Sequence, residues 1–183
     1  MEIEQLRLDR LHETHAGVTP EVNAAYLQAA AVCLGRLHEP PRNVAVCSDQ
    51  GDDAEYQASW PIADERARRA WEDRDATRDG AYCVVLAALE AHIGLVAIAR
   101  AAVGTGADYL IGTPGSFTHA DGELDLENAQ RLEVSGDLEC DALSELQYRT
   151  GLKLTQLRRG KSSLPGIAGV VAFNMLRVEL RTA

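Results

Sequence analysis

Asp108, in Gly106-Ala107-Asp108-Tyr109-Leu110, and Glu133, in Arg131-Leu132-Glu133-Val134-Ser135-Gly136, are the residues best placed by type and setting to do chemistry. Each carboxylate falls in a short strand-like run of a chain whose pattern is otherwise largely helical. An isolated buried charge is too costly to keep, so a carboxylate on a buried strand must be paired, hydrogen-bonded or bound to a cation. Glu90 adds a third candidate: it borders the apolar stripe of a long helical pattern, between Leu86 and Ile93, and needs a partner there. If the two strands are neighbours and the helix packs on them, Glu90, Asp108 and Glu133 converge as ligands of one metal ion. Hard divalent cations such as magnesium or manganese take such a carboxylate set, keep several waters, and activate one to attack phosphorus.

Other chemistries find less footing. Cys33, Cys47, Cys83 and Cys140 are far apart, with no Cys-x-x-Cys and no paired histidine, so zinc and redox motifs are both missing. His12-Glu13-Thr14-His15 lacks the histidine spacing of zinc-protease helices, and His38, His92 and His119 are scattered. No Gly-x-Ser-x-Gly elbow occurs. Gly104-Thr105-Gly106 has the helical pattern before it, not after, so it reads as a helix terminus and not as a phosphate-cradling loop. Gly112-Thr113-Pro114-Gly115-Ser116 reads as a connection.

The 183 residues are 46% hydrophobic and 25% charged, an ordinary globular composition that can bury a sizeable core. Formal net charge is −10, which argues against a broad electrostatic grip on nucleic acid and confines any such contact to a local basic patch. Arg149, Lys153, Arg158, Arg159 and Lys161 are that patch, although Arg158 and Arg159 also suit the last turn of a helix, where cations complement exposed carbonyls. The start Met1-Glu2-Ile3-Glu4 is acidic and has no apolar core, so no secretory signal is expected, and the cysteine usage fits a reducing cytoplasm. Glu90 and His92 interrupt the apolar stretch from Ala81 to Ala99, which is read as a buried helix with no membrane contact.

The elements that must position these side chains follow from periodicity. Thr19-Pro20-Glu21 starts a helix that runs to Gly35. Residues 43–47 and 55–60 read as strands, 64–78 as an exposed helix separated by Gly80 from the apolar one, and 107–111 and 129–135 as the strands carrying Asp108 and Glu133. Period two puts Arg131, Glu133 and Ser135 on one face. A helix over about 141–159, with Asp141 as its cap and Gly160 beyond its end, precedes strands at 167–173 and 176–181. The expected fold is α/β (α+β): a mixed central sheet flanked by helices in a single domain, 1–183.

The order helix with Glu90, strand with Asp108, strand with Glu133-Val134-Ser135, helix, strands resembles the PD-(D/E)xK, restriction-endonuclease-like superfamily. The resemblance covers residues 80–181, implies a nuclease-like core over 80–183, and leaves 1–79 as an additional helix and strand portion. It implies magnesium or manganese held by Glu90, Asp108 and Glu133, and hydrolysis of phosphodiesters in nucleic acid. Ser135 stands where the motif has lysine, and a hydroxyl cannot do a cation's work of orienting water and stabilising negative charge. Arg131 on the same face, Lys153 or Lys161 would have to supply that charge; without it the domain is a catalytically degenerate nuclease-like scaffold that acts on or near nucleic acid. Asp108, Glu133, Ser135 and Arg131 are therefore the expected catalytic set. The alternative is a non-catalytic acidic accessory protein that binds a protein partner or self-associates, with Asp108 and Glu133 tied down by arginines.

Overall fold

A computed structural model describes residues 3–115, 126 and 128–183. Ser116 and His119 of the sequence reading lie outside these residues. The elements in chain order are β1 (Gln5–Leu6), a short 3-10 turn (Leu11–Glu13), α1 (Pro20–Leu34), β2 (Arg42–Ser48), β3 (Ala54–Ala58), α2 (Glu65–Ala70), α3 (Asp73–Ile93), β4 (Val96–Arg100), β5 (Tyr109–Gly112), β6 (Gln130–Asp137), α4 (Leu143–Arg159), β7 (Gly166–Ala172) and β8 (Arg177–Thr182). The strands form one mixed eight-stranded sheet in the order β1-β3-β2-β8-β7-β6-β5-β4, so strands from both portions of the chain share it. This is the α/β architecture of a mixed sheet flanked by helices.

The half of the sheet that holds the candidate site is simple in topology. β4, β5 and β6 run antiparallel in sequence order, and β7 then lies parallel to β6 after the α4 crossover. One face of the sheet carries α1 and α3 over the main core, where Leu132, Ile167, Val171, Val178 and Leu180 meet Val85, Leu86 and Leu89. Val170 and Ala172 point to the other face, where Leu146 of α4, Cys140 and Met175 cover them. β7 is therefore buried on both sides along its whole length, which explains its unbroken apolar run.

Several boundaries differ from the sequence reading. The apolar helix does not run to Gly104: α3 ends at Ile93, with Gly94 as its cap at φ +76, and the remaining apolar residues form β4. A glycine takes that left-handed turn without steric cost, and Val96, Ile98 and their neighbours then prefer extended backbone. Gly80 does not separate two helices but lies inside α3, because a Cβ there would sit 3.0 Å from the backbone of Ala30 in α1. Close helix crossing, not termination, requires it. Thr19 caps α1 as expected, accepting from Val22 N, whereas α4 begins after Ala142 and Asp141 makes no capping bond. Glu179 of β8 is buried, held by Arg177 Nε at 2.9 Å and Arg181 Nη2 at 2.5 Å.

Candidate functional site

β6 positions the site by alternation. Leu132 and Val134 face the α3 core, while Arg131 and Glu133 face α4, as period two requires. Asp108 stands at the entry to β5, where its backbone N donates to Leu132 O at 2.8 Å and fixes it beside the middle of β6. Its Oδ2 accepts from Val134 N at 2.8 Å and its Oδ1 accepts from the Tyr82 hydroxyl of α3 at 2.7 Å. Burial and the neighbouring Asp108 push the Tyr82 phenol well above its ordinary value, so it stays protonated and donates.

Asp108 and Glu133 come one step beyond the Tyr109–Leu132 pair of the antiparallel β5–β6 register, and the charge of Asp108 acts on the Glu133 carboxyl. Glu133 is only 4% exposed. Burial first, and the charge of Asp108 second, raise its carboxyl to about 7. Lys153 of α4 opposes that rise: its Nζ donates to Glu133 Oε1 at 2.7 Å and to Gln156 Oε1 at 3.3 Å. The cation absent from position 135 of the strand is thus supplied across the sheet face by a helix. Among the described residues, Lys153 spends two of its three N–H donors on these acceptors and keeps one.

Arg100, the last residue of β4, closes the Asp108 side. Its guanidinium lies 4.5 Å from the Tyr109 ring centre and 4.9 Å from that of Tyr82, two rings packed edge to face. Its Nη2 is 3.9 Å from Asp108 Oδ1. Behind these rings, the hydroxyls of Tyr26 and Tyr109 are bonded to each other at 2.6 Å.

The other expected site residues lie elsewhere. Glu90 accepts from His15 Nε2 at 3.2 Å, while His15 Nδ1 accepts from Ala97 N at 2.9 Å. Glu90 is two turns of α3 beyond Tyr82, roughly 12 Å along the helix, and does not join Asp108 and Glu133. Its border position called for a partner, and the buried His15 is that partner. Arg131 does not face the carboxylates. Its Nε donates to Leu164 O at 2.9 Å and its Nη1 to Thr105 O and Leu157 O at 2.8 and 2.9 Å. It is a clip that joins the loop before β5, the end of α4 and the segment entering β7. Ser135 lines a neighbouring groove of about 730 Å³ with Arg74, Arg78, Arg149 and Lys153.

Of the expected basic patch, Lys153 binds Glu133 and Arg149 pairs with Asp137, whereas Arg158 and Arg159 occupy the last turn of α4. Among the described residues no group of three or more His, Cys, Asp or Glu side chains forms a cage. Two adjacent carboxylates remain, a donor set suited to a hard cation that keeps most of its water. No helix among the described residues is long and apolar enough to cross a membrane. Compared with known proteins, the chain matches no family model, no curated protein and no solved structure.

Proposed function

We propose that this protein is a nuclease-like domain of the restriction-endonuclease-like kind, hydrolysing phosphodiesters with magnesium or manganese held by Asp108 and Glu133. The observation that carries the reading is the electrostatic cost of that pair. A carboxylate retained for an ion pair is pulled below its ordinary value by its partner, yet Glu133 is raised to about 7 even with Lys153 in contact. Lys153 is in contact with one carboxyl and Arg100 stays 3.9 Å from the other, so the pair is short of positive charge at contact distance. A divalent cation relieves that shortage, and such arrangements are what active sites maintain at the expense of stability.

The chain's own groups divide the work. Tyr82 and Val134 N orient Asp108, and Lys153 favours the ionised form of Glu133. The unspent donor on Lys153 can orient a water or meet charge that develops on a phosphoryl oxygen. A cation bound by Asp108 and Glu133 would supply Lewis-acid stabilisation of that charge. The groove beside Lys153 is also lined by Arg74, Arg78 and Arg149, basic side chains for a phosphate backbone to meet, with Arg78 paired to Asp75 and Asp79 and Arg149 to Asp137. The helix, three-strand meander, helix and parallel strand over 73–172 also agree with the order of elements in that superfamily.

The accessory-protein alternative has Asp108 and Glu133 neutralised by arginines. Arg131 is instead spent on three carbonyls, and Arg100 remains 3.9 Å from Asp108. The deciding experiment is incubation of end-labelled single-stranded DNA, duplex DNA and RNA with the protein in manganese, in magnesium and in EDTA. Metal-dependent cleavage that is lost in Lys153→Met supports the reading. Failure of the folded wild type to cut any of the three substrates in either metal would contradict it.

A further inference from the structure

Arg100 is held in a way that leaves its binding capacity unspent. Its guanidinium rests in the corner formed by two perpendicular tyrosine rings. Both rings are buried and are fixed from behind, Tyr109 by Tyr26 and Tyr82 by Asp108. Cation–π contact of this kind locks an arginine in place without consuming its N–H groups. Among the described residues its polar contacts are a 3.5 Å bond from Nη2 to the Tyr82 hydroxyl, an interaction with the Tyr109 hydroxyl and the 3.9 Å approach to Asp108. A counter-ion for Asp108 would sit within hydrogen-bond distance and present its fork to the carboxylate. Among the described residues Arg100 instead keeps donors unspent, and its side chain is 52% exposed.

We propose that Arg100, stacked on Tyr82 and Tyr109, is a substrate-binding residue that receives a phosphate of nucleic acid on the Asp108 side of the carboxylate pair. This rests on the nuclease-like reading of that pair. Lys153 stands on the Glu133 side, against α4, so each carboxylate has a positive side chain beside it. A rigid planar fork matches two non-bridging phosphate oxygens, which a lysine in the same position would not.

The test is binding of a fluorescein-labelled single-stranded DNA oligonucleotide in EDTA, followed by anisotropy, beside steady-state cleavage in manganese. A charge-assisted contact to phosphate implies that Arg100→Ala weakens oligonucleotide binding about tenfold and raises KM similarly with a smaller effect on kcat. Arg100→Lys should recover only part of that loss. Manganese affinity, measured by calorimetry without DNA, should not fall in Arg100→Ala, because the metal ligands are untouched. Unchanged oligonucleotide binding in both folded variants would overturn the subsite while leaving metal-dependent cleavage intact. If the wild type binds the oligonucleotide through Arg100 but does not cut it, the subsite stands and the catalytic reading fails. If the wild type cuts nothing and binds no oligonucleotide, both fail.

Discussion

Lys153 and Glu133 meet at 2.7 Å across the sheet-to-helix interface, although 20 residues separate them in the chain. Among the described residues the contact gives the buried carboxylate the one cation that reaches it, and it places a lysine beside a carboxylate pair whose own strand has Ser135 instead. Truncating Lys153 to Met should therefore do two things. Loss of a partner from a buried carboxylate costs on the order of 1–3 kcal/mol at pH 8, readable in urea melts. Glu133 should also move further above 7, and that shift can be followed by NMR of its side-chain carboxyl carbon.

The raised carboxyl of Glu133 gives stability a definite pH dependence. Its folded value is about 7 and its ordinary value is 4.5. The folded state thus holds a proton that the unfolded state has lost across that window. This contribution to stability is complete below about pH 4.5 and is lost as pH rises through 7, by roughly 3 kcal/mol. Glu133→Gln should flatten that slope in urea melts taken from pH 4.5 to 8. Metal binding has the opposite dependence, because the ligand must be deprotonated, so manganese affinity should increase as pH rises through 7.

Tyr82 orients Asp108 without being placed to hold a cation itself. Tyr82→Phe retains the ring under Arg100 and removes the hydroxyl bonded to Asp108. Manganese affinity should fall about tenfold, the usual scale for losing a group that orients a ligand. The thermal transition should move little, since the packing is preserved.

Arg131 and Glu90 should behave as structural residues. Arg131→Met removes the guanidinium donor from the Thr105 and Leu164 carbonyls and one of two donors from Leu157 O, and should destabilise by about 2–5 kcal/mol in urea melts, with no effect on manganese affinity once the variant is folded. Glu90→Ala strands the buried His15 Nε2 proton and should cost about 1–3 kcal/mol, again without changing manganese affinity. A metal titration that weakened in Glu90→Ala would return that residue to the ligand set.

Much of the frame was legible in the sequence because alternation and caps are local signals. The strands around 43–47, 129–135, 167–173 and 176–181 and the start of α1 at Thr19 fall where periodicity places them, within a residue or two. β4 was not legible, since the apolar residues from Ala81 to Ala99 fit a buried helix and a buried strand equally well, and Gly94 alone marks the change. Within the site, Asp108 and Glu133 stood out because a charge on an apolar strand needs a reason. Lys153 was one of three possible sources of charge, and only the packing of α4 over β6 selects it. Tyr82 lies within the apolar stretch from Ala81 to Ala99 and had no signal of its own, and Arg100 carried none either, because a stack on two tyrosines exists only once β4 and β5 pair. Glu90 illustrates the converse: its need for a partner was evident, but the partner came from the N-terminal segment and was a histidine.

The central claim is that Asp108 and Glu133 jointly hold a divalent cation, and calorimetric titration of manganese at pH 8 tests it most directly. The titration should be made on the wild type and on Asp108→Ala and Glu133→Ala, with folding checked by circular dichroism. The account predicts saturable binding by the wild type and its loss in both folded variants. A wild type that binds no manganese, or binding that survives both substitutions, would contradict it.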